Sequence, residues 1–178
     1  KCQGWDIDIK AHYRRGGSIL GICGGYQILG NEIIDDQGYD GTPSKGKGLG
    51  LLNVKTKMGK EKNLGKKEFI STINRKKISG YEIHLGITSG SDCNNPFAIL
   101  GNRKDGAISS NGLVMGTYLH GLFFSDEFRN NFVAKLSSEE KKEDVSFHDT
   151  IDVILEEFVK VIEDNLDVDS ILSVARHI

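Results

Sequence analysis

The feature that most constrains the fold is a short apolar run that ends in a cysteine and two glycines, within Ser18–Gly30. Residues 19–22 suit a buried strand, and Gly24 and Gly25 permit a tight turn that holds the Cys23 thiol above a sheet. A helix that begins just after Cys23 aims free N–H groups at the sulfur, which favours the thiolate. The pattern predicts a nucleophile elbow in which the N–H of Gly24 binds an oxyanion. A buried structural cysteine is the alternative.

Length and composition are those of a single domain over 1–178. The chain has 178 residues, of which 38% are hydrophobic and 27% charged, and a formal net charge of -2. No apolar run approaches the roughly 20 residues that span a bilayer, and no signal peptide is present, so we expect a cytoplasmic protein with no membrane or nucleic-acid partner. Three cysteines without a CxxC pair argue against a disulfide framework and a metal site. The first residue is Lys1, which suggests a piece of a longer protein.

Periodicity and turn residues predict alternating helices and strands. Asn31–Gly48, rich in Gly, Asp and Lys, is expected to be a loop, and Asn111-Gly112 indicates a hairpin turn. Predicted strands cover Leu49–Val54, Phe69–Ile73, Ile78–Thr88, Phe97–Leu100 and the two hairpin arms, and predicted helices cover Trp5–Arg15, the segment after an N-cap at Ser125, Ile151–Ile162 and Asp169–Val174.

The strand predicted over Ile78–Thr88 has two chemically different faces, because successive side chains alternate across a strand. Its apolar face consists of Tyr81, Ile83, Leu85 and Ile87, and its other face consists of Glu82, His84, Gly86 and Thr88. The second face is either a solvated outer surface or part of a functional site, and the pattern alone leaves both interpretations open.

Cys23 and His120 form the pair that makes chemical sense together. His120 follows the second hairpin arm and precedes Gly121, so it is expected to project into a cleft above the sheet. A thiolate that attacks a carbonyl and an imidazole that moves the proton are the parts of cysteine acyl transfer. We expect both residues at strand ends of one sheet, where such ends converge. Gln27 lies one helical turn after Cys23, where its amide could bind a polar substrate.

Four stretches carry a resemblance to a known family. Gly21–Gly30 resembles the nucleophile motif of class I (triad) glutamine amidotransferases. Three more stretches, in order and spacing, resemble the C-terminal amidotransferase half of the cobyric acid synthase family: Gly48–Leu52, Gly80–Gly86 and Gly116–Phe123. The cysteine motif alone indicates only the superfamily, whereas the four together indicate the family across essentially the whole chain.

The resemblance implies an α/β, flavodoxin-like three-layer sandwich with a mixed central sheet, truncated at its N-terminus. It implies Cys23 as nucleophile, His120 as base, and glutamine bound through Gln27 and the segment that contains His84 and Gly86. Glutamine hydrolysis through a thioester would release ammonia. The domain itself would need no cofactor, since ATP and magnesium belong to a separate synthetase domain that activates the b, d, e and g carboxylates of a corrinoid, adenosylcobyrinic acid a,c-diamide.

The chain departs from the pattern of many triad amidotransferases at one position. Those enzymes carry a Glu two residues after the histidine, where this chain has Leu122. Either the Cys–His pair suffices without a third residue or another acid orients the histidine, and Glu82 is the candidate for that acid. Three other interpretations stay open: the amidotransferase domain of cobyrinic acid a,c-diamide synthase, a cysteine hydrolase or peptidase on the same fold, and a non-catalytic docking module.

Overall fold

A computed structural model describes residues 3–137 and 146–175 of the chain. Its contacts divide the chain into two compact units, Lys1–Lys141 and Lys142–Ile178. The first unit contains every described strand and the second contains two helices. Helices and mixed sheets together confirm the predicted α/β class, and a single domain over 1–178 stays a prediction.

The helices form where the sequence predicts them. In the first unit they are α1 Trp5–Arg14, α2 Gly24–Leu29 and α3 Asp126–Leu136, and in the second they are α4 Phe147–Asn165 and α5 Val168–Ala175. The Ser146 hydroxyl caps α4 by accepting a hydrogen bond from the N–H of Asp149 at 3.2 Å. Ser125 precedes α3 as expected, but its hydroxyl accepts from the N–H of Ser79 at 2.9 Å and makes no cap hydrogen bond. It ties the helix start to a neighbouring strand.

The described strands belong to two sheets. In chain order they are β1 Ile19–Ile22, β2 Glu32–Asp35, β3 Ser44–Lys47, β4 Val54–Ser71, β5 Lys77–Gly90, β6 Ala98–Leu100, β7 Arg103–Asp105, β8 Ala107–Ile108, β9 Val114–Thr117 and β10 Leu119–His120. One sheet has the order β1-β9-β8, with β1 and β9 parallel and β8 antiparallel to β9. The other has the order β10-β5-β4-β2-β3, and β6 and β7 extend it from β4.

Asn31–Gly48 is not a loop, which corrects the prediction. It contains β2 and β3, paired antiparallel, and β2 also runs parallel to β4. Lys45 forms an ion pair with Glu32 across the hairpin at 3.1 Å. The carboxylate of Asp35 accepts the N–H groups of Tyr39 and Asp40, each at 2.9 Å, and so closes the turn. Charged cross-strand pairs and an aspartate turn supply the order that composition did not indicate.

Leu49–Val54 is not a strand, apart from Val54. The N–H groups of Leu49, Leu51 and Leu52 donate to carbonyl groups near the end of α2, at 2.7 to 3.0 Å. Those carbonyls lack intrahelical partners, so the apolar segment completes the helix end and adds no strand there. The strand β4 begins where this segment ends and continues through a lysine-rich stretch that was not predicted as a strand. Pairing with β5 stabilises that stretch.

The strand predicted over Ile78–Thr88 is confirmed as β5, and the structure shows which of its two faces is buried. The apolar side chains of Tyr81, Ile83 and Ile87 are 43%, 37% and 67% exposed, whereas Glu82 is only 2% exposed. The inner position of Gly86 is also buried. The polar face of β5 therefore points into the protein.

The core of the first unit consists of two apolar clusters. One joins α3, β4–β6 and the strands near His120: Phe69, Ile78, Phe97, Ala98, Met115, Leu119, Leu122, Phe128 and Phe132. The other lies under the elbow: Tyr26, Leu29, Leu52, Val54, Ala107, Val114 and Tyr118. Side chains of β1 pack against both clusters, so β1 and the residue that follows it are held from two sides. None of the helices in the described parts of the chain is long and apolar enough to cross a membrane.

Candidate active site

The predicted elbow is present at Cys23. β1 ends at Ile22 and α2 begins at Gly24, so Cys23 occupies the turn with φ 53° and ψ -113°. A positive φ is strained for a residue with a side chain, and it costs of the order of 1–3 kcal/mol. The N–H of Cys23 donates to the carbonyl of Thr117 at 2.8 Å, and its Sγ donates to the carbonyl of Ile83 at 3.5 Å. The nucleophile candidate thus lies between β9 and β5.

Gly24 is suitably placed for the oxyanion role that the sequence predicts. As the first residue of α2, it has an N–H without an intrahelical acceptor. The residue is exposed and lines a pocket together with Cys23. The oxyanion role itself stays a prediction.

Cys23, Gly24, Gln27 and His84 meet in one pocket of about 290 Å³. Asp40, Met58, Lys62, Ile83 and Leu85 complete its lining. The pocket brings together residues from the elbow, α2 and the inner face of β5, which lie about sixty positions apart in the chain. It can hold a small polar molecule beside the thiol.

A second cavity of about 170 Å³ lies along the inner face of β5, and His84 lines both cavities. Glu82, Gly86 and Thr88 line the second cavity from β5, and Arg103 and Asp105 line it from β7. The buried carboxylate of Glu82 forms an ion pair with Arg103 at 2.5 Å. Because the buried carboxylate of Glu82 is paired with an arginine, its role as the acid that orients a histidine stays a prediction.

The imidazole of His84 has a defined tautomer. Its Nδ1 lies 2.8 Å from the carbonyl oxygen of Gly86, and since a carbonyl only accepts hydrogen bonds, Nδ1 carries the proton. Burial is the main reason that the pKa of His84 is below its usual value, so the ring is neutral near pH 7. Nε2 consequently has a free lone pair, and it is buried without a hydrogen-bond partner among the described residues.

Gly86 leaves space for the side chain of Gln27. A Cβ at Gly86 would lie 2.6 Å from Gln27 Nε2, 2.7 Å from Thr56 Cγ2 and 3.1 Å from the Tyr118 hydroxyl. In the space so provided, Gln27 Nε2 donates to the hydroxyl of Tyr118 at 3.3 Å. The structure therefore brings Gln27, His84 and Gly86 together, while their contact with glutamine stays a prediction.

His120 lies on β10, in the same sheet as β5 and not in the sheet of β1. Its register partner is Tyr81, and the two rings stack with centroids 5.2 Å apart. Its Nε2 is buried without a hydrogen-bond partner within residues 3–137 and 146–175. Neither of the two cavities is lined by His120. The expectation that Cys23 and His120 end strands of one sheet is wrong, and the role of His120 as base stays a prediction.

Asp105 supports the elbow and was not singled out from the sequence. Its carboxylate accepts a very short hydrogen bond from the Thr117 hydroxyl and another from the N–H of Tyr118 at 3.1 Å. The carbonyl of Thr117 also accepts the N–H of Cys23, so Asp105 is linked to the candidate nucleophile through Thr117. Deep burial raises the pKa of Asp105 to about 6, against the opposite effect of its hydrogen bonds.

Tyr118 is the other residue that sequence reasoning missed. It lies within the motif Gly116–Phe123, yet an aromatic residue in a buried strand is usually part of the core, and Tyr118 does belong to the cluster under the elbow. The signal that could have found it is its position directly beside the strand end that leads to His120. Among the described residues, no three His, Cys, Asp or Glu side chains are grouped so that they could hold a metal ion.

Comparison with known proteins gives a family match over residues 1–128, to the CobB/CobQ-like glutamine amidotransferase domain. The chain is also similar to curated relatives. It is 46% identical to the cobyric acid synthase of Bradyrhizobium diazoefficiens over 176 residues, which are 99% of the chain and 36% of that relative.

Two further relatives give the same result. The chain is 45% identical to the cobyric acid synthase of Rhizobium rhizogenes over 167 residues, 94% of the chain and 34% of the relative. It is 44% identical to that of a Ruegeria species over 178 residues, 100% of the chain and 36% of the relative. The chain thus spans about a third of the length of the curated relatives it matches. Both comparisons agree with the resemblance carried by the four motifs.

Proposed function

The chain belongs to the family of CobB/CobQ-like glutamine amidotransferase domains, and from this premise we propose that it is the glutaminase part of a cobyric acid synthase. It hydrolyses glutamine and supplies ammonia to a synthetase domain. The observation that supports the proposal best is the pocket in which Cys23, on a strained elbow, meets Gly24, Gln27 and His84. The names of the relatives support the choice of cobyric acid synthase over cobyrinic acid a,c-diamide synthase.

The first half of the reaction forms a thioester. Cys23 Sγ attacks the side-chain carbonyl carbon of glutamine, and the oxygen that becomes negative accepts the N–H of Gly24. His120 takes the thiol proton and returns it to the amide nitrogen. The C–N bond then breaks, ammonia leaves, and a γ-glutamyl thioester of Cys23 remains.

The second half regenerates the thiol. The same imidazole removes a proton from water, which attacks the thioester carbonyl. The C–S bond then breaks, and the imidazolium returns the proton to the sulfur, which gives glutamate and the Cys23 thiol. In the proposed whole protein, ATP and magnesium at the synthetase domain activate the b, d, e and g carboxylates of adenosylcobyrinic acid a,c-diamide. Ammonia converts each activated carboxylate to an amide.

Replacement of the nucleophile tests the proposal. In the full-length protein, Cys23→Ala is expected to lower glutamine-dependent amidation by roughly a thousandfold or more, because no thioester can form. Amidation with added ammonium salt is expected to continue, since it bypasses Cys23. His120→Asn is expected to behave in the same way. Loss of both activities in Cys23→Ala, or full glutamine-dependent activity, would contradict the roles proposed here.

The acceptor is tested separately. Purified full-length wild-type protein is supplied with glutamine, ATP, magnesium and either cobyrinic acid or its a,c-diamide, and the products are identified by mass spectrometry. We expect four amidations of the a,c-diamide form. Amidation of cobyrinic acid at two positions would instead assign the chain to the a,c-diamide synthases.

A further inference from the structure

Tyr118 lies between two side chains predicted to bind glutamine. Its hydroxyl accepts a hydrogen bond from Gln27 Nε2 at 3.3 Å. Its ring stacks on the imidazole of His84, with centroids 3.7 Å apart and planes 12° from parallel. Only 6% of the residue is exposed. One buried aromatic side chain thus contacts both Gln27 and His84.

The hydroxyl of Tyr118 is itself held in place. It hydrogen-bonds the Thr88 hydroxyl at 2.6 Å, which in turn hydrogen-bonds the Thr56 hydroxyl at 2.6 Å. Burial raises the pKa of Tyr118, so the phenol is neutral near pH 7 and remains a hydrogen-bonding group. Because Gln27 Nε2 donates to this fixed oxygen, the orientation of the Gln27 amide in the pocket is defined.

His84 is restricted by the same residue. Stacking on Tyr118 defines the plane of the imidazole, and the carbonyl of Gly86 holds Nδ1–H. The side chains of Gln27 and His84 both line the pocket beside Cys23, and contacts with Tyr118 and the backbone hold them in place.

We propose that Tyr118 is a positioning residue that holds the side chains of Gln27 and His84 in the orientation in which they line the glutamine pocket. It acts through Gln27 and His84 and does not itself touch the reacting atoms. This inference rests on the proposed glutaminase function. It predicts a role in substrate affinity that is separate from the chemistry at Cys23.

Tyr118→Phe in the full-length protein tests the inference, because phenylalanine keeps the stacked ring and removes only the hydroxyl. The KM for glutamine is expected to rise roughly three- to tenfold, the effect of one lost hydrogen bond, while kcat stays within about twofold. Ammonia-dependent amidation is expected to be unchanged. Tyr26→Phe is the matched control: Tyr26 is also buried and contacts the Tyr118 ring edge-on at 5.2 Å, but its hydroxyl faces Cys93.

A double-mutant cycle shows whether Tyr118 acts through Gln27. Gln27→Leu removes the donor, so adding Tyr118→Phe to it is expected to leave KM unchanged. Thr88→Val provides an independent route, since it releases the same hydroxyl without altering Tyr118, and a smaller rise in KM is expected. Thermal unfolding of each variant checks that the fold persists.

The outcomes separate this inference from the proposed function. If wild-type protein hydrolyses glutamine and Tyr118→Phe matches Tyr26→Phe in KM, Tyr118 is a core residue only and the inference is overturned. The same holds if the two changes at Tyr118 and Gln27 are additive, or if kcat falls while KM is constant. If wild-type protein does not hydrolyse glutamine, the proposed function fails instead.

Discussion

The elbow and β5 both contribute to the candidate site, but their side chains are distributed in opposite ways. In the elbow, the apolar side chains of β1 pack into the protein, and the half-buried Cys23 lies at the strand end beside the pocket. In β5, the apolar side chains of Ile83 and Ile87 face outward, while Glu82 and Gly86 are buried. One region places a half-buried thiol at the end of an apolar strand, whereas the other buries the polar face of its strand.

The difference shows that the site has two kinds of support. The elbow depends on apolar packing from two clusters and on a strained turn. The inner face of β5 depends on polar partners, since buried charges and hydroxyls are tolerated only when they are paired. Substitutions that remove one polar partner should therefore be most harmful on β5.

The ion pair between Glu82 and Arg103 gives the largest expected effect. Arg103→Met leaves the Glu82 carboxylate buried without its cation, and we expect a loss of about 2–4 kcal/mol in unfolding free energy, below the range for fully buried pairs because the arginine side chain is 41% exposed. Glu82→Gln is expected to cost only about 1 kcal/mol, because Arg103 can still reach water. Urea denaturation measures both. The double variant should recover stability relative to Arg103→Met, and equal losses in the two single variants would contradict this account of the inner face.

Substitutions at Gly86 and at its neighbour Ile87 compare the inner and outer faces of β5. Gly86→Ala introduces a Cβ 2.6 Å from Gln27 Nε2, so we expect a loss of about 1–3 kcal/mol in stability and a KM for glutamine raised more than about tenfold. Ile87→Thr changes a side chain that is 67% exposed, and its stability should stay within about 0.5 kcal/mol of wild type. Urea denaturation and glutaminase kinetics measure the pair. A larger loss at Ile87 than at Gly86 would reverse the assignment of faces.

Asp105 gives the smallest effect, and it tests the support of the elbow. Burial raises its pKa to about 6 from 3.8, so the folded state favours the protonated acid. The stability gained by burying the protonated acid is fully present below pH 3.8, the ordinary pKa that applies to the unfolded chain. It is lost as pH rises through about 6, the pKa in the folded protein. Between pH 7.5 and 5, wild type should gain about 1–1.5 kcal/mol relative to Asp105→Asn, which resembles the protonated acid at every pH.

Melting temperatures across that pH range measure the difference between the two proteins. Asp8→Asn, at an exposed position of α1, is the control and should follow wild type. Parallel curves for wild type and Asp105→Asn would mean that Asp105 has the same proton affinity in the folded and unfolded chain.

The local sequence was sufficient to predict the elbow, but it was not sufficient to predict which strand faces are buried or which segments pair. Apolar residues before Cys23 and glycines after it specify strand, turn and helix over a dozen positions, so the prediction was right there. Alternation correctly predicted the two faces of β5, but which face is buried depends on what packs against it. The burial of Glu82 follows from Arg103, twenty-one positions away.

The same reason explains the other errors. β2 and β3 are stabilised by pairing with each other and with β4, and the lysine-rich part of β4 by pairing with β5, so composition in these segments was a poor guide. Asp105 and Tyr118 gain their importance from contacts with Thr117 and Gln27. Such contacts join segments that the sequence does not place together.

The positive φ of Cys23 has an evolutionary consequence. Glycine is the residue best suited to that backbone conformation, so the change most favourable for the turn would also delete the thiol. Selection on stability alone would drive this position toward glycine, and a cysteine is kept there only while the thiol is in use. In a lineage that no longer needs the activity, we expect this to be among the first positions of the chain to change.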